Sequence, residues 1–397
     1  MNILYLAHRI PYPPNKGDKI RSYHQIQYLS VHHRVYLACI ADDPQEFQYV
    51  DELRKYCQQV EVIWLSQRQR IWGASVSLLR GQALSVGAFY SQDLQEKIDR
   101  ILQSVPIDHI IAFSSPMAEY VRKVKNVPRL MDFVDVDSEK WRAYAGFQKF
   151  PWSVLYQLEA NRLGDYEERI AEEFEQSVFI STQEVQLFCE RGKDRRAAVV
   201  SNGVDIEYFY RNGHGSRASV DRPVLVFTAA MDYFPNIDAV QYFCREILPK
   251  VRQVFPDVRF NIVGRRPTHA VEKLASPGHI HVTGTVPDVR PYLIDASVAV
   301  VPLRIARGVQ NKILEAMAMG LPVVGTSAAF EGLTVSQDNG IRIADDPQRF
   351  ADEIVCLLND PVLRSSCAEQ AREFVAKRCS WQHCGSELEK LVEQAGR

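Results

Sequence analysis

The sequence lacks any apolar run close to the roughly 20 residues that a helix needs to cross a bilayer. Residues 1–7 predict a strand rather than a signal peptide, because they form only a short apolar run that is followed at once by His8, Arg9 and a proline cluster. The eight cysteines include no CxxC pair, which is typical of reduced thiols rather than of a disulfide framework. These absences disfavour an integral membrane protein and predict a cytoplasmic one.

The sequence also lacks an excess of charge of either sign. The 47 basic residues nearly balance the 49 acidic residues, which disfavours a broad electrostatic surface for nucleic acid. No G-x-G-x-x-G motif follows the first strand, so a dinucleotide-binding protein is also disfavoured. A cluster that resembles metal ligands, formed by Cys379, His383 and Cys384, is too closely spaced for tetrahedral zinc. We therefore expect a local basic site, no nucleic-acid partner and no metal.

Short β-rich runs alternate with longer amphipathic segments, and this alternation is typical of βαβ units and a parallel sheet. The 397 residues suffice for two or three domains. The alternation is interrupted by a polar, glycine-containing stretch over residues 212–222 and then starts again. The sequence predicts an α/β protein with an N-terminal Rossmann-like lobe (1–205), a C-terminal Rossmann-like lobe (206–378) and a C-terminal helix (379–397) that packs back on the first lobe.

The segment over residues 303–325 has the features of a phosphate-binding turn. An apolar strand is followed by a basic turn in which Gly308 allows close approach of a ligand to the backbone. The N–H groups of Gln310, Asn311 and Lys312 then open a helix, and helix N-termini bind diphosphates well. Glu315 follows one turn later, where a carboxylate can accept hydrogen bonds from a vicinal diol such as ribose. The alternative for an isolated glutamate is that it merely complements the helix dipole.

The whole string resembles the nucleotide-sugar signature of the family-four retaining glycosyltransferases. Four other segments resemble that family in the same order, and they are spread so that the resemblance extends over nearly the whole chain: PYPPNKGDKIRSYH, VSNGVDIEYF, TAAMDYFPNIDA and PDVRPYL. A closer resemblance is to the sugar transferase subgroup associated with PEP-CTERM/exosortase exopolysaccharide systems, through HRIPYPPNKGDKIRSYH, DFVDVDSEKWRAYA and VPLRIARGVQNKILEAMAMG. The resemblance implies a GT-B fold, with two parallel sheets facing across a cleft and no obligatory cofactor or metal.

It also implies a set of donor-binding residues. Many family members have a second glutamate eight positions before the ribose glutamate, and here that position is Arg307, which is suited to phosphate or to a uronic-type sugar. The residues expected to bind a nucleoside diphosphate sugar are Gly17, Arg21, Asp232, Asn236, Arg307, Gly308, Val309, Gln310, Asn311, Lys312 and Glu315. Lys312 and Arg265 are expected to neutralise the departing diphosphate.

The acceptor is expected to contact the segment after the fifth strand. A histidine that many family members have there is replaced by Val134, beside Asp135, Asp137 and Ser138, which become the acceptor-side candidates, with Asp135 also a catalytic candidate. Asp135 and Asp137 resemble a metal-binding DxD motif, but loop capping and acceptor binding are the alternatives that we favour. His8 and His24 flank the first loop, where either a proton-handling or a structural role remains open.

Aromatic and basic residues at helical spacing occupy residues 64–90. They predict either peripheral attachment to the inner face of the plasma membrane, beside a lipid-linked acceptor, or an ordinary lobe core with a solvated face. Taken together, the sequence predicts a retaining glycosyltransferase that uses a nucleotide sugar and a saccharide or lipid-linked acceptor in exopolysaccharide biosynthesis. A GT-B nucleotide-sugar 2-epimerase and a non-catalytic nucleotide-binding scaffold remain as alternatives.

Overall fold

The computed structural model describes residues 1–190, 196–210, 222–306, 308–333, 335 and 339–396. The chain divides into two compact units, and each contains one parallel sheet covered by helices. The predicted connection over 212–222 lies, except for its last residue, outside the described residues. No helix among those residues is both long and apolar enough to cross a membrane.

The first unit comprises Met1–Ser201 and Cys384–Arg397. Its sheet has the strand order β3-β2-β1-β4-β5-β6-β7. The strands are β1 (Asn2–Ala7), β2 (Arg34–Ala41), β3 (Cys57–Trp64), β4 (His109–Phe113), β5 (Arg129–Val134), β6 (Gln176–Phe179) and β7 (Ala197–Val199). The helices are α1 (Gly17–His32), α2 (Val50–Leu53), α3 (Gln67–Leu79), α4 (Leu84–Ala88), α5 (Gln92–Ser104), α6 (Asp137–Phe147), α7 (Trp152–Glu173) and α8 (Thr182–Cys189).

The second unit comprises Asn202–His383, and its sheet has the strand order β10-β9-β8-β11-β12-β13. The strands are β8 (Val224–Thr228), β9 (Arg259–Val263), β10 (Ile280–Val282), β11 (Val298–Val301), β12 (Val323–Gly325) and β13 (Ile341–Ile343). The helices are α9 (Phe234–Tyr242), α10 (Leu248–Val254), α11 (His269–Glu272), α12 (Arg290–Asp295), α13 (Asn311–Ala318), α14 (Ser327–Phe330), α15 (Pro347–Asn359), α16 (Pro361–Arg378) and α17 (Trp381–Ala395), and α17 continues into the first unit.

The central strands are apolar on both faces because helices cover both sides of each sheet. All five residues of β4 and all four of β11 are buried. A single π-helical turn, Phe243–Ile247, joins α9 to α10, and Pro249 lies in the first turn of α10, where its missing N–H costs no hydrogen bond. Proline therefore occurs in α10 only at its start, where it is tolerated, and the central strands coincide with continuous apolar runs that are buried.

The units divide after Ser201, before the predicted division at residue 205, and the chain returns to the first unit at Cys384. The reason is that the segment 202–204 pairs inside the second unit: the N–H of Val204 donates to the Cys379 carbonyl at 2.8 Å. Gly203 lies so close to Trp381 that a Cβ at this glycine would be 2.7 Å from the indole. The incoming and outgoing chains of the second unit are thus joined side by side.

The remainder of α17 packs on the first unit. Glu389 accepts hydrogen bonds from the Tyr28 hydroxyl at 3.2 Å and contacts the His33 ring at 2.8 Å. A Cβ at Gly385 would be 2.2 Å from the Tyr28 ring, so only glycine lets the two helices approach this closely. The C-terminal helix is therefore held against α1 and the residue after it by both packing and hydrogen bonds.

Candidate functional site

The centre of the second sheet is a point where the strand order reverses. The strands β8 and β11 are neighbours there, with β9 on one side and β12 on the other. Open parallel sheets hold ligands in the crevice beyond the carboxyl ends of such a pair of strands. The helices that follow these strands are α9 and α13, so the start of both helices lies at this crevice.

The loop before α13 depends on two glycines. Gly308 has a φ of 62°, a left-handed conformation that strains other residues. A Cβ at Gly332 would be 2.3 Å from the Gly308 carbonyl, so Gly332 allows this loop to pack closely on the segment after α14. Val309 is buried beside them, which makes it a packing residue. Arg307, predicted to bind the donor, lies outside the described residues.

The first turn of α13 offers backbone donors. Its N-cap, Gln310, has extended backbone and makes no side-chain capping bond, while its amide Nε2 donates to the Gly308 carbonyl at 3.4 Å. The N–H groups of Asn311 and Lys312 belong to the first helical turn, where no intrahelical acceptor exists. This end of the helix therefore favours an anion, as the sequence predicts.

Lys312 extends from this turn to the start of α9, the helix that follows β8. Its ammonium donates to the Asn236 Oδ1 at 2.6 Å and lies 4.6 Å from the centre of the Phe227 ring. The Asn236 amide in turn donates to the Ala230 carbonyl at 2.9 Å, which fixes its orientation. Desolvation lowers the pKa of Lys312 to about 7, although nearby Glu315 opposes this change. An anion placed beside Lys312 would restore its charge.

Glu315 lies one turn further along α13 and is partly buried. Desolvation raises the pKa of its carboxyl to about 7, and Lys312 opposes this rise. Within the part of the chain that the structure describes, the carboxylate has no hydrogen-bond partner. A desolvated carboxylate without partners is costly, so a ligand with hydroxyl donors would stabilise it.

The loops after β8 and β9 are joined at the same edge of the sheet. Ala229 donates to the Val263 carbonyl at 3.0 Å, and Met231 donates to the Arg265 carbonyl at 2.9 Å. A Cβ at Gly264 would be 1.7 Å from the Ala229 carbonyl oxygen, so this close approach requires glycine. Arg265 is consequently held next to the loop that leads into α9, the helix that carries Asn236.

Asp232 lies in the loop after β8 and is exposed. Its carboxylate is 3.5 Å from the guanidinium of Arg266, an exposed pair of the kind that contributes little stability. Asp232 and Arg266 are therefore available to a ligand. Asp232 lies on the loop after β8, and Arg266 lies on the loop after β9.

Asn202 contacts α13, which the sequence did not indicate. Its Nδ2 donates to the Asn311 Oδ1 at 3.2 Å, and Asn202 is buried. The segment VSNGVDIEYF, one of those that resemble the family, is thus bonded directly to the first residue of α13. The signal available in the sequence was the asparagine before Gly203, but only the fold places it beside α13.

The acceptor-side candidates lie in the first unit. The Lys140 ammonium is 2.7 Å from the Asp135 carboxylate and 3.0 Å from that of Asp137. Burial lowers the pKa of Lys140, but the two carboxylates outweigh it and raise that pKa above its ordinary value. Lys140 therefore remains charged and neutralises both aspartates, which are still partly exposed.

Two predicted site residues need correction because their side chains are fully buried. Ser138 donates from its hydroxyl to Glu167 at 2.5 Å and faces the interior, so it does not present a group to an acceptor. Arg21 forms an ion pair with Asp132 at 3.0 Å and donates to the Ser201 carbonyl at 3.2 Å. Both residues stabilise the first unit instead.

Gly17 and His8 lie nearer to the surface at the corresponding edge of the first sheet, where β1 and β4 are neighbours. A Cβ at Gly17 would meet nothing within 4 Å, so the position is open. His8 follows β1, stacks on Phe113 and places its Nε2 3.3 Å from the Asp18 carboxylate. Burial raises the pKa of Asp18, but the hydrogen bonds and charges of His8 and Arg9 outweigh it and hold that pKa well below its usual range. The sequence had not indicated Asp18.

Comparison with known proteins agrees with this geometry. Residues 222–360 match the family described as Glycosyl transferases group 1. That range contains the joined loops after β8 and β9 and the start of α13. The sequence has no match among curated proteins.

Solved structures resemble the whole chain. They include sucrose-phosphate synthase from Thermosynechococcus elongatus, at 16% identity and a TM-score of 0.71 over 99% of this chain and 98% of that one. HepE of Anabaena in complex with UDP has 15% identity and a TM-score of 0.68 over 99% and 100%. WaaG, a glycosyltransferase involved in lipopolysaccharide biosynthesis, has 15% identity and a TM-score of 0.64 over 98% and 99%. The chain has the GT-B fold, its second unit carries the match to the group 1 glycosyl transferases, and the protein is a glycosyltransferase.

Proposed function

We propose that the second unit binds a nucleoside diphosphate sugar, with uridine diphosphate as the nucleotide, and that the protein transfers the sugar with retention of configuration. The observation that carries the proposal is the start of α13, where Lys312 in the first turn and Glu315 three residues later lie at the crevice of the sheet. The choice of UDP is supported by the HepE structures, which hold UDP and UDP-glucose.

The diphosphate would be bound by the N–H groups of Asn311 and Lys312 and by the Lys312 ammonium, which Asn236 positions. Binding would raise the protonated fraction of Lys312, so that the site supplies a full positive charge as the diphosphate departs. Arg265 would add charge from the joined loops. Glu315 would accept hydrogen bonds from the ribose hydroxyls.

The reaction would need no protein nucleophile. The bond between the anomeric carbon and the phosphate oxygen breaks, and a bond forms between that carbon and the acceptor oxygen on the same face. The departing phosphate oxygen takes the acceptor proton. Asp135 and Asp137, held by Lys140 in the first unit, are the proposed hydrogen-bonding groups for the acceptor hydroxyl.

We further propose that the acceptor is a saccharide or a lipid-linked saccharide of exopolysaccharide biosynthesis, made in the cytoplasm at the inner face of the plasma membrane. The supporting observation is the resemblance of three segments to the exosortase-associated sugar transferases. WaaG, which has the same fold, is involved in lipopolysaccharide biosynthesis.

Calorimetric titration tests the donor site. UDP is compared with 2′,3′-dideoxy-UDP in the unmodified protein and in Glu315→Gln, with Glu369→Gln on the exposed surface of α16 as the matched control. Hydrogen bonds to a charged group contribute about 1.5–3 kcal/mol, so removing the ribose hydroxyls should weaken binding by roughly 10-fold or more in the unmodified protein and much less in Glu315→Gln. Equal discrimination in both proteins would refute the ribose role.

The configuration of the product tests the rest. Nuclear magnetic resonance of the glycoside formed from UDP-glucose should show the donor's anomeric configuration, and inversion would overturn the mechanism. Incubation of donor without acceptor separates transfer from epimerisation, because an epimerase would convert the nucleotide sugar on its own.

A further inference from the structure

Residues 62–92 and 140–158 of the first unit, named here the acid-free segments, contain neither aspartate nor glutamate. Residues 19–41 share this property. Within these acid-free segments the charged side chains are exclusively basic: Arg68, Arg70, Arg80, Lys140, Arg142 and Lys149.

The fold brings the acid-free segments together. The Glu159 carboxylate accepts hydrogen bonds from the backbone N–H groups of Leu84 at 2.5 Å and Ser85 at 2.9 Å. One turn later, Arg162 donates to the Leu78 carbonyl at 3.2 Å. The middle of α7 is therefore anchored where α3 meets α4. Trp152 begins α7 about 10 Å before Glu159, given a rise of about 1.5 Å per residue.

One face of α3 is packed and the opposite face is exposed. A Cβ at Gly73 would be 2.1 Å from the Gly87 carbonyl oxygen, and Ser77, one turn later, is also buried. These contacts fix the inner face of α3 against α4. On the other side the apolar residues are open to solvent: Ile71, Trp72, Leu78 and Leu79. Trp72 is 72% exposed and Leu79 88%.

A second exposed apolar group lies at the start of α7. Phe150 is 83% exposed, and Trp152 and Val154 are also exposed. Large apolar side chains grouped in this way on a protein surface mark an interaction site. Of the two alternatives for residues 64–90, an interaction surface is favoured over core with a solvated face, because the outer face of α3 exposes large apolar side chains.

The chemistry of the two groups selects the partner. Aromatic and aliphatic side chains beside arginines on an amphipathic helix suit the boundary between lipid headgroups and acyl chains. An anionic headgroup surface attracts arginine and lysine. Arg70, Lys140 and Arg142 are paired with carboxylates outside the acid-free segments. Arg68 and Arg80 are exposed, so these two arginines would carry the attraction.

We propose that the outer face of α3 and the start of α7 bind an anionic lipid bilayer. This rests on the proposed membrane location and on no feature of the donor site. Arg68 and Arg80, both exposed, would contact the headgroups, whereas Arg70 is already paired with Asp42 at 2.8 Å. Trp72, Leu79, Phe150 and Trp152 would enter the interface.

Vesicle flotation with the full chain tests the proposal. One set of vesicles is phosphatidylcholine alone, and the other is phosphatidylcholine and phosphatidylglycerol in equal parts. The protein should float with the anionic vesicles and much less with the neutral ones, and added salt should release it. Arg68→Gln with Arg80→Gln should lower the partition coefficient roughly 25-fold, at about 1 kcal/mol for each basic residue.

Apolar variants test the two groups separately. Trp72→Ser with Leu79→Ser, and Phe150→Ser with Trp152→Ser, should each lower partitioning at least roughly 10-fold. The matched control is Val31→Ser, which removes an apolar side chain that is 73% exposed on α1. UDP titration reports independently on the donor site, and all these variants should bind UDP as the unmodified protein does.

Three results would overturn the proposal. One is no flotation of the unmodified protein with anionic vesicles. Another is an equal loss of flotation in Val31→Ser. The third is a dimer in solution that Trp72→Ser with Leu79→Ser converts to a monomer, without lipid binding, since a second copy of the chain would then be the partner. None of these results bears on whether UDP binds the second unit.

Discussion

The ionised carboxylate of Glu315 should destabilise the protein when no donor is bound. The carboxyl of Glu315 has an ordinary pKa of 4.5 and a pKa raised to about 7 by desolvation in the folded chain. A carboxyl with a raised folded pKa binds its proton more tightly when folded, so stability falls as pH rises from about 4.5 to about 7 and stays lower above that. We therefore expect Glu315→Gln to be more stable than the unmodified protein at pH 8 and little different at pH 4.5.

The magnitude follows from the two pKa values. At about 1.4 kcal/mol per pKa unit, the full penalty is about 3 kcal/mol. The substitution also removes the charge that favours protonated Lys312, which returns part of this gain. The expected net gain in the free energy of unfolding is about 1–2 kcal/mol at pH 8.

Urea unfolding at pH 5 and pH 8 measures the effect, with Glu369→Gln on α16 as the control. The midpoint for Glu315→Gln should exceed that of the unmodified protein at pH 8, and the difference should shrink at pH 5. A variant that is less stable at pH 8, or a gain that is the same at both pH values, would refute the reasoning. Saturating UDP should remove the advantage, because the ligand supplies the donors that the carboxylate lacks.

Two further substitutions test the scaffold of the site. Arg21→Gln should cost about 3–5 kcal/mol of stability, because it leaves Asp132 buried without its ion pair; a loss under about 1 kcal/mol in urea unfolding would contradict this. Gly332→Ala should cost about 1–3 kcal/mol and weaken UDP binding, because its Cβ would collide with the Gly308 carbonyl. Gly146→Ala is the matched control, since a Cβ there meets nothing within 4 Å and should not destabilise the protein.

Local features of the site could be predicted from sequence because they are set by spacing along one helix. Lys312 and Glu315 are three residues apart, so any helix that begins near Asn311 places them on one side. Gly308 precedes that helix in the sequence and has the left-handed backbone that a glycine permits. The two parallel α/β lobes were likewise predictable, because alternating apolar runs and amphipathic segments specify parallel sheets, and the resemblance to the family-four transferases implied that they form a GT-B fold.

The errors occurred where a polar or charged side chain was assumed to be exposed. Arg21 and Ser138 lie in segments that resemble ligand-binding motifs, and yet both are fully buried. Their partners are distant in sequence: Asp132 lies 111 residues after Arg21, and Glu167 lies 29 residues after Ser138. Motif and composition carry no information about such pairs, because long-range partners follow from the packing of whole elements.

The sequence by itself determined that α13 opens with a cation and a carboxylate behind a glycine turn, since helical periodicity is local. Only the tertiary structure decided that Asn236, 76 residues before Lys312, accepts a hydrogen bond from its ammonium. The same holds for the exposed outer face of α3, because the sequence pattern allows either face to be buried and the close packing of Gly73 on Gly87 selects one. Which side chains are buried is a property of the assembled fold. The fold desolvates Glu315 and so raises its pKa, and it leaves Trp72 exposed.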